Sequence, residues 1–206
     1  MEKYCKYCIY EKLPHDQVKL SPQENIFFEG FELDYVYRIV EGFVKMSRIH
    51  PSGDEKIFDV LGPGDYVALL AVLQGKKEYV ASAITINEVS AIRISTQDVL
   101  KAYQSNSKFQ SSCLNCAVTR SILFQDKLFQ ASNIDAKEKI LGTLQLLAKK
   151  YGKIKEDFIE MELPFSKTEL ARIVGIRRET LSRKLSEMQK NNIVHINKNI
   201  YKIKRL

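Results

Sequence analysis

The stretch from Ser166 to Met188, SKTELARIVGIRRETLSRKLSEM, constrains the fold of this chain more than any other. Ser166 with Glu169 three residues on is a capping-box pattern, in which hydroxyl and carboxylate each satisfy an orphan backbone N–H at a helix start. Leu170, Ile173 and Val174 then fall on one face at the i, i+3, i+4 spacing of an amphipathic helix. Gly175 supplies the positive φ that ends such a helix. Ala171 is small enough for a second helix to cross closely. Ile176, Leu181 and Leu185 give that second helix an inner face, and Arg177, Arg178, Glu179, Ser182 and Arg183 its outer one. Two short helices joined by a tight turn are expected. This is the layout of a helix-turn-helix, whose second helix enters the DNA major groove.

A helical hairpin with a solvated basic face would share this pattern, and charge separates the two. Residues 1–131 carry 15 basic and 16 acidic side chains, and residues 132–165 carry six of each. Residues 166–206 carry 11 basic and three acidic, so the net +7 of the chain resides in its last 41 residues. A polyanion-binding surface confined to one small module is what phosphate contact requires.

At 206 residues the chain has room for two modest domains, and its 45% hydrophobic and 28% charged content is that of a soluble globular protein. No apolar run approaches the roughly 18 residues of a membrane span, and the start of the chain lacks the apolar segment of a secretory signal. No membrane partner and a cytoplasmic location are expected. Four cysteines in such a chain are expected as thiols, metal ligands or redox sensors rather than structural bridges. No nucleophile triad order, phosphate loop, HExxH or paired-carboxylate setting stands out, so an enzyme is not expected. An outward Glu179 argues against a nonspecific architectural DNA binder, because a carboxylate in the groove costs phosphate affinity and repays only by reading cytosine.

Residues 1–20 read as a leader holding Cys5 and Cys8. From 21 to 106 come short apolar runs, IFF (26–28), YVYRIV (35–40), FVKMSRI (43–49), KIFDVL (56–61), YVALLAVL (66–73), VASAITI (80–86) and VSAIRI (89–94). Breakers such as Glu41-Gly42 and Gly62-Pro63-Gly64-Asp65 separate them, predicting a compact antiparallel β-sandwich or barrel, with YVALLAVL open to a short helix. Residues 107–132 read as one long helix. Leu114, Ala117, Ser121, Phe124, Leu128 and Ala131 recur at steps of three and four, the seam of a coiled coil. Val118, Ile122 and Phe129 form a second stripe. One stripe is expected on the β domain and the other on a symmetry mate, giving a homodimer whose two recognition helices reach successive major grooves. Asn133-Ile134-Asp135 caps a helix from Ala136 to about Tyr151, and Gly152–Glu162 reads as a polar loop. After Met188, NIVHI (192–196) and IYKIKRL (200–206) flank a hairpin turn at Asn197-Lys198-Asn199. Lys198, Lys202, Lys204 and Arg205 make that hairpin a basic wing, so residues 133–206 are expected to be a winged helix-turn-helix.

A β domain, a long helix and a winged helix-turn-helix, in that order, resemble the Crp/Fnr family of bacterial transcription regulators. GPGDYV (62–67), DAKEKILGTLQLLAKKYG (135–152) and above all ARIVGIRRETLSRKL (171–185) carry the resemblance, which covers nearly the whole chain. It implies an α+β protein with an N-terminal antiparallel β-roll (a cupin-like jelly roll), a long dimerisation helix and a C-terminal winged helix-turn-helix. It also implies RNA polymerase as a partner. By resemblance Arg178, Glu179 and Arg183 occupy the family's base-reading positions. Arg178 matches the type reading TGTGA half-sites, and Ser182 the type reading TTGAT. The hybrid is expected to bind double-stranded DNA at an inverted repeat nearer TGTGA…TCACA. Lys167, Thr168, Arg177, Thr180 and Lys198 are expected on phosphates. Lys184 stands where such motifs usually carry an apolar residue, and snorkelling is its only account.

Cyclic-nucleotide-binding members carry a glutamate for the ribose and an arginine for the cyclic phosphate. Leu69 stands at the first position here, and Tyr79 or Val80 at the second. A phosphate buried without its cation is severely penalised, so cyclic AMP is not expected. Cys5 and Cys8 resemble the Fnr side, whose N-terminal cysteines ligate an iron–sulfur cluster, although that type's fourth-ligand position here is Ser90. Cys113 and Cys116, at i and i+3, share a helix face. Three readings stand for these four cysteines: a disulfide switch of the kind in Fnr-like proteins of low-GC Gram-positive bacteria, a zinc or iron–sulfur site, or small hydrophobes in the core. Cys113 is expected nearest the partner protomer. His15, His50 and His195 are read as ordinary surface residues.

Overall fold

A computed structural model of the chain describes residues 13–132 and 135–204. Cys5, Cys8, Asn133, Ile134 and Arg205 lie outside the described residues. The chain divides into two compact units, Met1–Arg120 and Ser121–Leu206.

The first unit is a jelly roll of two four-stranded antiparallel sheets. Its strands are β1 (Asp16–Leu20), β2 (Asn25–Phe27), β3 (Tyr35–Glu41), β4 (Val44–Ile49), β5 (Glu55–Leu61), β6 (Tyr66–Val67), β7 (Ser82–Thr85) and β8 (Val89–Ser95). One sheet runs β1-β8-β3-β6 and the other β2-β7-β4-β5. Alternating apolar side chains from both sheets, among them Val36, Ile39, Val44, Leu61, Ala83 and Val89, fill one core. Each large aliphatic side chain of this kind stabilises by roughly 1.5–3 kcal/mol when buried. Gly42 links β3 to β4 at φ 85, and a Cβ there would strike the Glu88 carbonyl and Val89. Only glycine meets both demands.

One of these elements departs from the sequence reading, and another resolves an alternative that it left open. The stretch read as leader ends in β1, where Val18 and Leu20 turn partly inward while Asp16, Gln17 and Lys19 stay exposed. Two apolar residues are too few to register as a strand pattern, and pairing with β8 supplies what the pattern lacks. YVALLAVL divides into β6 and the short helix α1 (Leu69–Leu73), with Ala68 at φ 70 making the break.

After β8 come α2 (Thr96–Ser105) and the long α3 (Ser107–Ala131). Phe109, Ser112 and Cys113 of α3 are buried, and Phe109, Cys113 and the half-buried Cys116 pack on the jelly-roll core. The expected stripe of Val118, Ile122 and Phe129 does not perform this packing: all three are exposed. At about 100° per residue, Val118 and Ile122 lie beside Leu114, so the two stripes are parts of one broad face. The packed side is the opposite one, and its serine and cysteines hid it from a count of large apolar residues.

The second unit holds α4 (Ala136–Tyr151), β9 (Lys153–Ile154), β10 (Phe158–Glu162), α5 (Lys167–Val174), α6 (Arg178–Lys190), β11 (Val194–Asn197) and β12 (Ile200–Lys204). Asp135 caps α4, its carboxylate accepting from the N–H of Lys137 at 2.6 Å and of Glu138 at 3.2 Å. The polar loop expected over 152–162 is instead an antiparallel pair of strands, extending the wing into a four-stranded sheet β11-β12-β10-β9. Met161 is buried there, and Lys202 of β12 pairs with Glu160 opposite it. Such cross-strand ion pairs let a charged stretch stand in a sheet.

Candidate nucleic-acid interface

The capping box forms as expected: the Glu169 N–H donates to Ser166 Oγ at 3.1 Å, and the Ser166 N–H donates to Glu169 Oε2 at 2.9 Å. This fixes the first residue of α5. Leu170 and Ala171 are buried, and Gly175 closes the helix in the left-handed region at φ 77. The N–H groups of Gly175 and Ile176 both donate to the Ala171 carbonyl, at 2.9 and 3.0 Å, which makes the turn tight. Arg177, in extended conformation, is the N-cap of α6. Leu181, Leu185 and Met188 bury one side of α6.

That burial sets the other side. Arg178, Glu179 and Arg183 are exposed and Ser182 is half-buried, within about two turns at the start of α6. The outer face expected for α6 is thus exposed at Arg178, Glu179 and Arg183 and half-buried at Ser182. A planar guanidinium fork here can donate to guanine O6 and N7, and the carboxylate can accept from a cytosine amino group. Lys167 and Thr168 are exposed at the start of α5, Arg177 is exposed at the N-cap of α6, and Thr180 is half-buried. Lys198 is exposed at the wing turn, at φ 52.

The wing is less uniformly basic in action than in composition. Lys202 Nζ lies 3.4 Å from Glu160 Oε2 and 4.8 Å from the centre of the Phe158 ring, so its charge is engaged within the sheet. Glu160 and Phe158 were missed because they lie in the stretch read as loop. Lys184 is half-buried and gains an account beyond snorkelling: its Nζ donates to Glu187 Oε2 at 3.0 Å. His195 is exposed on β11, as read.

In the jelly roll, Leu69 is buried, and Val80 is exposed. Tyr79 is only 5% exposed, its ring stacked on Phe27 with centroids 3.6 Å apart. Its hydroxyl donates to the Tyr35 carbonyl at 3.0 Å, and burial pushes the phenol well above its ordinary pKa. The positions matched to the family's glutamate and arginine thus present an aliphatic side chain and a neutral or apolar one.

On α3, Leu114, Phe124 and Leu128 are 65%, 53% and 59% exposed, Ser121 is exposed and Ala117 is half-buried. Cys113 is 2% exposed and faces the jelly-roll core, correcting the expectation that it lies nearest a partner. It sits about 100° around the helix from Leu114, far enough to reverse its surroundings. Among the described residues, no group of three or more His, Cys, Asp or Glu side chains is placed to hold a metal ion. Cys113 and Cys116 would therefore need further ligands from elsewhere to hold zinc or a cluster.

Residues 17–106 match the family model of the cyclic nucleotide-binding domain, and residues 138–206 match that of the Crp-like helix-turn-helix domain. The chain belongs to the Crp/Fnr family. It is a DNA-binding transcription regulator with the jelly-roll, long-helix and helix-turn-helix order of the Crp/Fnr proteins. It is similar to the global nitrogen regulator of Synechococcus elongatus, 23% identical over 91% of this chain and 85% of the relative. The regulatory protein HlyX of Actinobacillus pleuropneumoniae is 26% identical over 88% of this chain and 75% of its own. FixK2 from Bradyrhizobium japonicum has the same fold, with a TM-score of 0.81, 20% identity and 94% of both chains covered. Among the described residues, no helix is long and apolar enough to cross a membrane.

Proposed function

We propose that this Crp/Fnr regulator acts as a homodimer on double-stranded DNA, at an inverted repeat near TGTGA…TCACA, with RNA polymerase as its partner in transcription. The observation that carries the reading is the joint exposure of Arg178, Glu179 and Arg183 at the start of a helix whose other side is buried. Their chemistry fits guanine and cytosine edges. Lys167, Thr168, Arg177, Thr180 and Lys198 flank them as phosphate contacts, which position without specifying. The seam Leu114, Ala117, Ser121, Phe124 and Leu128 supports the dimer, because so broad an apolar face on one helix is what a paired helix buries. Catalysis is not part of the reading.

The effector is proposed to be redox state or oxygen, acting through cysteine, and not cyclic AMP. Leu69, Tyr79 and Val80 support the second half, since none of them carries the charge a ribose or cyclic phosphate needs. The half-buried Cys116 replaces Cys113 as the thiol open to an oxidant, with Cys5 or Cys8 proposed as its pairing partner. Zinc or a cluster on all four sulfurs is the alternative chemistry for the same residues.

Two measurements test this. Gel shifts with the full inverted repeat and with one half-site, over a range of protein concentrations, should show far tighter binding to the repeat. Equal affinity for both would remove the dimer reading. Anaerobic purification with metal analysis, followed by operator titration under reducing and oxidising conditions, should show an effect that Cys116→Ser abolishes. Identical binding in all conditions with no metal retained would make the cysteines structural.

A further inference from the structure

The side of α3 that faces the jelly roll is held by two kinds of contact. Phe109, Cys113 and Cys116 pack on the core, an attraction without direction. One turn beyond Cys116, Arg120 makes directed bonds. Its Nη2 donates to Asp59 Oδ2 at 2.7 Å, and its Nη1 donates to the Tyr66 carbonyl at 3.2 Å. The Arg120 side chain is 31% exposed and that of Asp59 only 14%. The other Asp59 oxygen, Oδ1, accepts from the Val60 N–H at 2.9 Å, which orients the carboxylate. Asp59 lies on β5 and Tyr66 begins β6, so one guanidinium grips both strands beside the glycine turn. That turn is itself fixed: the Gly62 N–H donates to Asp65 Oδ2 at 2.8 Å, and the Ile39 N–H of β3 donates to the Asp65 carbonyl at 3.0 Å.

The compact unit that contains the jelly roll ends at Arg120, while α3 continues unbroken to Ala131. Leu114 and Ala117 of the apolar seam precede Arg120, and Ser121, Phe124 and Leu128 follow it. A helix of this length spans about 37 Å, so a small rotation at one attachment moves its far seam residues by ångströms. Hydrophobic packing alone permits such rotation, and a planar guanidinium held on two strands opposes it.

We propose that Arg120 is the positioning residue through which β5 and the glycine turn set the direction of α3, and with it the presentation of the dimer face. The inference rests on the dimer reading above and adds to it the point of control. Any event in the jelly roll that shifts β5 or the 62–65 turn is transmitted to the seam by this pair, without a change in the seam itself.

The test uses the full chain and the variants Arg120→Gln, Asp59→Asn and their combination. Dimer dissociation constants come from sedimentation equilibrium, operator affinity from anisotropy, and folding from thermal melts. Asp59→Asn preserves shape and is expected to melt close to wild type. Each single variant should weaken dimerisation and operator binding about five- to a hundred-fold, the usual span of a coupling between sites. The double variant should lose no more than either single one, since both remove the same bond. A dimeric wild type whose folded variants keep its dimer constant and operator affinity would overturn this inference alone, as would additive losses in the double variant. A wild type that is monomeric at every concentration would remove the dimer reading and this inference with it.

Discussion

The amide end of Gln130, near the end of α3, occupies the space that a methyl group on Gly142 of α4 would need. Gln130 of α3 thus reaches over a position of α4 that has no side chain, and Lys149 and Asp126 add an ion pair between the two helices at 3.3 Å. Replacing Gly142 with alanine in a helix interior should gain about 0.8–1 kcal/mol of intrinsic propensity. Shifting the flexible amide of Gln130 offsets part of that gain in the wild-type background and none of it in Gln130→Ala. Thermal melts of the four proteins in this cycle check it. Gly142→Ala should be more favourable in the Gln130→Ala background than in the wild type, and equal effects would contradict the contact.

The capping box gives a second expectation. Ser166→Ala removes the acceptor for the Glu169 N–H and should cost about 1 kcal/mol, whereas Ser166→Asp restores an acceptor and should recover most of it. Denaturant melts measure both. The same loss for both substitutions would mean that the cap contributes nothing beyond the fold around it.

Asp135 gives a pH-dependent one. The N–H groups of Lys137 and then Glu138 hold its carboxyl below the ordinary range, and the charges of Lys184 and Lys137 add to this. A depressed folded value contributes stability that is present above the unfolded value of about 4 and is lost as pH falls through the folded one. Asp135→Asn keeps a capping oxygen without the charge. The melting-temperature gap between wild type and variant should therefore be widest above about pH 4 and close at lower pH. A gap constant across that range would contradict the assignment.

The proposed dimer face allows a variant that leaves the single chain folded. Leu128 is 59% exposed in the single chain, so Leu128→Glu should leave the fold intact. In the dimer it would bury an unpaired charge, which costs several kcal/mol. Sedimentation should show the variant as a folded monomer that no longer binds the inverted repeat. A dimeric variant would place the interface elsewhere.

Where the sequence spoke clearly, it did so through local chemistry. Ser166, Glu169 and Gly175 announce their own hydrogen bonds and backbone conformation, so α5, the turn and the exposure of Arg178, Glu179 and Arg183 were legible from residues alone. Position in three dimensions was harder to read. On α3 the large side chains Leu114, Phe124 and Phe129 drew attention to the exposed face, while the side facing the jelly roll is built from a single large apolar residue, Phe109, with Ser112, Cys113, Cys116 and the Arg120 ion pair. Cys113 was misplaced for that reason. β1 and β10 were missed because Val18, Leu20, Ile159 and Met161 are too few to form a pattern, and partner strands complete them. Long-range pairing carries no local signature.

Base reading by the α6 arginines is measured by competition anisotropy with Arg183→Ala. Wild-type and variant protein would be titrated with the TGTGA…TCACA repeat, with the repeat carrying single guanine substitutions, and with random duplex, at several salt concentrations. Arg183→Ala should lose about 1–3 kcal/mol on the repeat, become indifferent to one guanine and keep its salt dependence. An equal loss of affinity for every sequence, random DNA included, would show that Arg183 contacts phosphate and does not read a base.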